Sequence, residues 1–284
     1  MDSGKKFQLN TIYEGDAKDI LNAFPDKSVN LIITSPPYSD KRKRSYGGIP
    51  VEQYVGWFSD ISKNLHRILK DNGSFILNIK EGANGEKETY VLELILSLRE
   101  HGWLWTEEYI WRKTTSMPGK WPNRFRDGWE RCLHFTKSHK FKMHQNRVMV
   151  PIGDWAKVRM KKLSEKDKKR RFSSNGSGMS INLMNWAGRT KVYPDNVLEF
   201  APVCKNNKHS AAFPEELPTW FIRLFTDKKD VVLDPFIGSG TTAIASIKNG
   251  RNYIGIEKYP EYYKLAISNL KAISAQKKLG SDTR

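Results

Sequence analysis

The chain has 284 residues, ample for a sizeable packed core, and carries 48 Lys and Arg against 31 Asp and Glu for a formal net charge of +17. That excess favours a polyanionic partner such as nucleic acid, although charge by itself identifies none. Two cysteines make neither a disulfide framework nor a zinc knuckle, the six histidines form no metal-ligand pattern, and no segment is long and apolar enough to span a bilayer.

The polar start Met1-Asp2-Ser3-Gly4-Lys5-Lys6 lacks the apolar stretch of a signal peptide, so a cytoplasmic protein is expected. A short strand is expected over Thr11-Ile12-Tyr13, followed by Gly15-Asp16. The apolar run Val29 to Ile33 predicts a buried strand, and Thr34-Ser35-Pro36-Pro37-Tyr38 stands at its end. Two consecutive prolines fix their φ angles and contribute no N–H, which leaves carbonyl oxygens as the local acceptors. Ser35 adds a hydroxyl and Tyr38 a flat, partly polar face, so the segment suits a planar amine held beside an aromatic ring. A rigid strand exit is the competing reading.

Lys41-Arg42-Lys43-Arg44 follows directly and reads as a basic loop beside that segment. Helical patterns over Val55–Leu69 and Tyr90–Arg99 alternate with strand-like runs at Ser74–Ile79, Tyr109–Trp111 and Arg131–Phe135. Trp103, Trp105, Trp111, Trp121 and Trp129 make this stretch aromatic-rich, and core packing is expected for most of them. Between about Lys140 and Phe200 the periodicity fades, and Ser173-Ser174-Asn175-Gly176-Ser177-Gly178 marks a turn. Positive charge concentrates before that turn, within about residues 157 to 171, and reads equally as a solvated helix face or as a contact to a polyanion.

After a helical pattern at Leu217–Phe225, the strand Val231-Val232-Leu233 leads into Asp234-Pro235-Phe236-Ile237-Gly238-Ser239-Gly240-Thr241-Thr242 and a helix over Ala243–Ile247. Glycines in such a strand–turn–helix let backbone approach a ligand closely. The strand Asn252–Ile256 then ends in Glu257, about 20 residues after the glycines, where a carboxylate is placed to accept both ribose hydroxyls. The turn has neither Gly-x-Gly-x-x-Gly nor Gly-Lys-Thr, so a diphosphate is not the expected ligand. The polar tail from about Ser274 is expected to fray.

With these segments in this order, the chain resembles the beta class of S-adenosylmethionine-dependent DNA amino-methyltransferases, and within it the cytosine-N4 type of prokaryotic restriction-modification systems. Ser35, Pro36, Pro37 and Tyr38 match the catalytic motif of that class. Asp234, Pro235, Phe236, Gly238, Ser239, Gly240, Thr241 and Thr242 match its cofactor loop, with Glu257 at the ribose. Asp16 matches the acidic turn near the adenine, and His209, Phe213 and Pro214 match the segment lining the methionine end of the cofactor. Trp111-Arg112-Lys113 resembles a segment bordering the substrate pocket, which makes Trp111 the exception among the tryptophans.

The resemblance implies a Rossmann-like α/β fold: a doubly wound, largely parallel sheet with permuted motif order and an inserted target-recognition region. Residues 1–139 and 201–284 would form one methyltransferase domain, and residues 140–200 the insertion. It also implies that the strands ending at Ile33 and Leu233 are neighbours. S-adenosyl-L-methionine is the implied cofactor, with no metal. Double-stranded DNA is the implied partner, contacted by Lys41, Arg42, Lys43, Arg44, Arg159, Arg171, Asn175 and Arg189. A cognate restriction endonuclease, a homodimer and a cytoplasmic, nucleoid-associated location go with it, and no membrane.

Serine before Pro-Pro is typical of enzymes that act on the cytosine N4 amine, and Asp or Asn of those that act on adenine N6. Ser35 therefore favours cytosine, with adenine-N6 methylation as the alternative and a catalytically silent DNA-binding protein as the weaker one. Methylation of cytosine carbon requires a thiolate, and neither Cys132 nor Cys204 lies in a Pro-Cys context. A base amine is hidden in duplex DNA, so the nucleotide must be extruded or single-stranded.

Overall fold

The computed structural model describes residues 7–39, 48–116, 119, 122–154, 189–203 and 213–281, with 158, 161, 162, 164, 165 and 169 as isolated positions. Two units are present, one of residues 1–144 and 196–284 and one of residues 145–195.

In the larger unit an eight-stranded sheet comprises Thr11–Glu14 (β1), Val29–Thr34 (β2), Leu69–Ile79 (β3), Leu104–Lys113 (β4), Trp129–Thr136 (β5), Val197–Phe200 (β6), Val231–Asp234 (β7) and Asn252–Glu257 (β8). The strand order is β1-β8-β7-β2-β3-β5-β4-β6. All neighbours are parallel except β5, which runs against both β3 and β4. The helices are Ala17–Ile20 (α1), Val51–Ile68 (α2), Tyr90–Glu100 (α3), Glu216–Phe225 (α4), Thr241–Lys248 (α5) and Pro260–Ser281 (α6).

Adjacent residues of a strand face opposite sides of a sheet, and His134 and Phe135 on β5 show that both sides are covered. The Phe135 ring packs 5.9 Å from Phe75, within the core that α2 and α3 build on one face. The His134 ring lies 4.6 Å from Phe225 of α4 on the other. α2 is strongly amphipathic: Tyr54, Phe58, Ile61, Leu65 and Ile68, spaced by three and four, are all buried. Ile12, Ala243, Tyr253, Ala266 and Leu270 form a second cluster under α5 and α6. The architecture is thus the doubly wound, mostly parallel α/β sheet expected, with both faces packed.

Every strand expected from hydrophobic runs is present, and three differences are informative. β3 starts at Leu69, directly after α2, because the buried Leu69 pairs with Val29 before the register shifts. β6 falls inside the 140–200 interval yet lies at the edge of the main sheet, beside β4. Its four residues alternate too briefly to stand out among polar neighbours. The tail expected to fray is helical to Ser281, since Ala275-Gln276-Lys277-Lys278-Leu279 consists of strong helix formers.

In the smaller unit, Gln145–Val148 forms a 3-10 turn, and Val150–Pro151 pairs antiparallel with Lys191–Val192. Val148 and Ile152 are buried, and Arg189 is exposed. No helix among the described residues is long and apolar enough to cross a membrane.

Candidate active site

Ligands of open α/β sheets bind beyond the carboxyl ends of the strands, and a cavity of about 310 Å³ opens there in the larger unit. Parallel pairing of β2 with β7, Leu31 opposite Val232 and Ile32 opposite Leu233, brings the two principal motifs to one place. Ser35, Pro36, Pro37 and Tyr38 line one part of the cavity. Asp234, Pro235, Phe236, Gly238, Ser239 and Thr241 line another, with Asp16, Glu257 and Phe213 beside them. Gly240, Thr242 and Pro214 stand outside the lining, while His209 lies outside the described residues. So do Lys41, Arg42, Lys43, Arg44, Arg159, Arg171 and Asn175.

The tetrad Ser35-Pro36-Pro37-Tyr38 is held from below. Tyr54, fully buried on α2, donates its hydroxyl to the Pro37 carbonyl at 2.9 Å. The Pro36 carbonyl meets no donor among the described residues, although Pro36 is buried. Ser35 Oγ is 3.5 Å from the Tyr38 hydroxyl, a contact too long to hold either group firmly. Pro36 and Ser35 both line the cavity at the strand exit, where they contribute an acceptor and a hydroxyl without a firm partner among the described residues.

The glycine turn owes its shape to two carboxylates. Asp234 is 2% exposed, and its oxygens accept from Thr34 Oγ1 at 2.7 Å, Thr242 Oγ1 at 2.6 Å and the Phe236 N–H at 3.1 Å. Burial pushes its carboxyl up to about 6 against these hydrogen bonds. Asp234 thus braces the turn from inside. Glu257, at the end of β8, accepts from the Gly238 N–H and the Tyr259 N–H, each at 2.9 Å. Burial raises its pKa as well. The Lys258 N–H also bonds this carboxylate, which has about four lone-pair sites and so keeps acceptor capacity for a ligand hydroxyl. Gly238 and Gly240 adopt φ of 54° and 91°, left-handed conformations that side chains rarely take.

Asp16 caps α1 through the Lys18 N–H at 2.9 Å and pairs with Lys258 at 3.0 Å. That ion pair occupies a cation among the lining residues near the turn. Trp57 and Phe236, with ring centroids 5.7 Å apart, add apolar faces. Flat apolar walls, a diol acceptor and a left-handed turn suit a nucleoside bearing a sulfonium better than a polyphosphate.

Comparison with known proteins identifies the chain at the level of family. A family model described as DNA methylase, covering N6 and N4 methyltransferases, matches residues 29–268. The chain belongs to that family. It is similar to the Type II methyltransferase M.PvuII of Proteus hauseri, at 31% identity over 91% of this chain and 84% of the relative. M.BglII of Bacillus subtilis is 29% identical over 92% of this chain and 69% of its own length. Among solved structures, the cytosine-N4-specific PvuII DNA methyltransferase superposes with a TM-score of 0.69 at 24% identity, over 92% of this chain and 86% of that one. A putative DNA modification methylase of Thermus thermophilus, solved in complex with S-adenosyl-L-methionine, gives a TM-score of 0.60 at 25% identity, over 90% and 91%.

This beta-class DNA methyltransferase also brings to the cavity residues that no motif announced. Lys80 follows β3, Lys113 ends β4, and Asp127 and Glu130 flank the start of β5; all four line the cavity. Because β5 is antiparallel, its first residues meet the carboxyl ends of its neighbours. Glu130 accepts the Tyr38 hydroxyl at 2.8 Å and pairs with Lys113 at 2.7 Å, while Lys80 pairs with Asp127 at 2.8 Å. Burial pushes the Tyr38 hydroxyl well above its ordinary value.

The sequence signal for these residues was slight: Lys113 lies in the Trp111-Arg112-Lys113 segment, and the others stand next to opposite charges outside any motif. Trp111 itself is buried and donates to the Phe200 carbonyl at 3.1 Å, so it packs β6 against β4 and reaches the cavity only through Lys113. Trp103 is likewise a core residue, bonded to Ser62 at 3.0 Å. Trp105 and Trp129 are more than a third exposed, contrary to core packing, because each sits where β4 or β5 turns a face to solvent. Trp121 and Cys204 lie outside the described residues, and Cys132 is buried with its thiol pushed well above the ordinary range.

Proposed function

We propose that this DNA methyltransferase transfers the methyl group of S-adenosyl-L-methionine to the exocyclic N4 amine of a cytosine extruded from double-stranded DNA. The observation that carries it is the single cavity lined both by Ser35, Pro36 and Tyr38 and by the glycine turn with Glu257. Ser35 as the first residue of the Ser-Pro-Pro-Tyr segment supports cytosine over adenine, as does likeness to the cytosine-N4-specific PvuII DNA methyltransferase.

When bound, the cofactor supplies an electrophilic methyl group. Glu257 would hold its ribose hydroxyls, Asp16 and Phe236 would border its adenine, and Phe213 its methionine end. The catalytic task of the chain is to make the amine nucleophilic, because its lone pair is delocalised into the ring. The Pro36 carbonyl and the Ser35 hydroxyl take hydrogen bonds from the amine protons, which draws the nitrogen toward tetrahedral geometry and turns its lone pair to the methyl. Tyr38 clamps the extruded ring, with its hydroxyl fixed on Glu130.

Lys41, Arg42, Lys43 and Arg44 would meet the phosphates flanking the extruded base, and residues 140–200 would recognise the target, with Arg159, Arg171, Asn175 and Arg189 among the contacts. The Type II name of its relatives supports a restriction endonuclease of matching specificity. A homodimer and a nucleoid-associated location are carried by the family resemblance. Exchange of residues 140–200 for those of a relative should move the recognition sequence.

Incubation of DNA with labelled S-adenosyl-L-methionine, followed by digestion to nucleosides, tests the chemistry. N4-methylcytosine is expected. N6-methyladenine would replace cytosine with adenine as target, and unlabelled DNA would mark a silent DNA-binding protein.

A further inference from the structure

Ser35 and Pro36 account for the amine of the target base and leave its neighbouring ring edge without a partner. Cytosine follows its amine with two acceptors, N3 and O2; adenine follows its own with N1 and then a C–H. Enzymes that extrude a base read it through that edge. The cavity offers an ammonium group that fits two acceptors.

Lys113 is 19% exposed, and its Nζ lies 2.7 Å from Glu130 Oε1 and 5.2 Å from the centroid of Trp111. An ammonium group has three donors. One is used on Glu130, and the others have no acceptor among the described residues. Glu130 has its other oxygen on the Tyr38 hydroxyl at 2.8 Å, so one carboxylate, 11% exposed, fixes both the clamp ring and the lysine. Lys80, paired with Asp127, lines the same cavity. Burial lowers its pKa, and the Lys113 charge acts in the same direction, which places the two ammonium groups within electrostatic reach. A surface lysine would spend itself on phosphate; Lys113 is instead strung to the tetrad through two short hydrogen bonds.

We propose that Lys113, held by Glu130, reads the N3 and O2 acceptors of the extruded cytosine and so helps select the base. This rests on the cytosine reading given above. Glu130 is the positioning residue, acting through Lys113 and Tyr38.

The test pairs a substrate change with a side-chain change. On duplexes carrying the sequence the enzyme modifies, replacement of the target cytosine by 3-deazacytosine removes the N3 acceptor and keeps the amine. For the wild-type enzyme this should lower kcat/KM roughly 10- to 100-fold, the scale of a lost polar contact to a charged group. Lys113→Met should lose a similar factor on cytosine and show no further loss on 3-deazacytosine, while Lys113→Arg keeps the sensitivity. S-adenosyl-L-methionine affinity without DNA should be the same in all three, which separates base reading from misfolding.

Wild-type indifference to 3-deazacytosine would overturn the proposal without any variant. So would a Lys113→Met enzyme that remains as sensitive as wild type. If the product on natural DNA is N6-methyladenine, the cytosine reading fails and this inference with it; N4-methylcytosine formed with no coupling to Lys113 sinks the inference alone.

Discussion

Thr34 and Asp234, 200 residues apart in sequence, share a buried 2.7 Å hydrogen bond between the ends of adjacent parallel strands. It joins the residue before the Ser-Pro-Pro-Tyr segment to the first residue of the glycine turn, and so adds a side-chain tie to the strand pairing that sets the two halves of the site side by side. Thr34→Val keeps the side-chain shape and removes that donor. Loss of a hydrogen bond to a buried charged group predicts about 1.5–3 kcal/mol of destabilisation, with Thr34→Ser recovering most of it. Urea denaturation of the three proteins measures this, and an unchanged midpoint for Thr34→Val would show that the bond holds nothing together.

The same carboxylate gives stability a pH dependence. Burial lifts Asp234 from 3.8 to about 6, so over that interval the native state keeps a proton that the unfolded chain has released. The contribution of Asp234 to stability is therefore largest below the unfolded value and is lost as pH rises through about 6. At 1.36 kcal/mol per pH unit the difference is about 3 kcal/mol. Asp234→Asn cannot ionise, so its unfolding free energy should gain on that of the wild type between about pH 4 and 7. Parallel stability curves for the two proteins over that range would contradict the assignment.

Gly240 occupies φ of 91°, and a Cβ there would lie 3.3 Å from the Cβ of Ala266 on α6. Gly240→Ala should cost about 1–2 kcal/mol from the left-handed backbone alone. Because the turn carries Gly238 and Ser239 into the cavity, S-adenosyl-L-methionine binding should weaken along with stability. Calorimetric titration checks the binding, and an affinity equal to wild type would detach the turn from the cofactor.

Ser35 and Tyr38 should separate in kinetics. Ser35→Ala is expected to lower kcat roughly 10²- to 10³-fold, the scale seen when one preorganised polar group is removed from a reacting centre, with cofactor affinity unchanged. Tyr38→Ala should act mainly on KM for DNA through loss of the clamp ring, and Tyr38→Phe should show what the bond to Glu130 adds. Full methyl transfer by both alanine variants would remove the tetrad from the chemistry.

Local features were legible in the residues alone: the strand that delivers Ser35, the glycine turn after Leu233, the carboxylate at Glu257, and the alternation of elements that makes an α/β sheet. Periodicity and proline or glycine chemistry act over a few residues, so they are visible without partners. Where the side chains point and what they meet was settled by the folded chain. Folding turned Asp234 inward onto Thr34 and Thr242, added Val197–Phe200 to the sheet edge, and used the antiparallel β5 to bring Glu130 to Tyr38 and Lys113. Glu130, Tyr38 and Lys113 stand at no spacing that signals their contact. Their meeting depends on strand register across the whole sheet, and hydrogen bonds between distant strands fix that register.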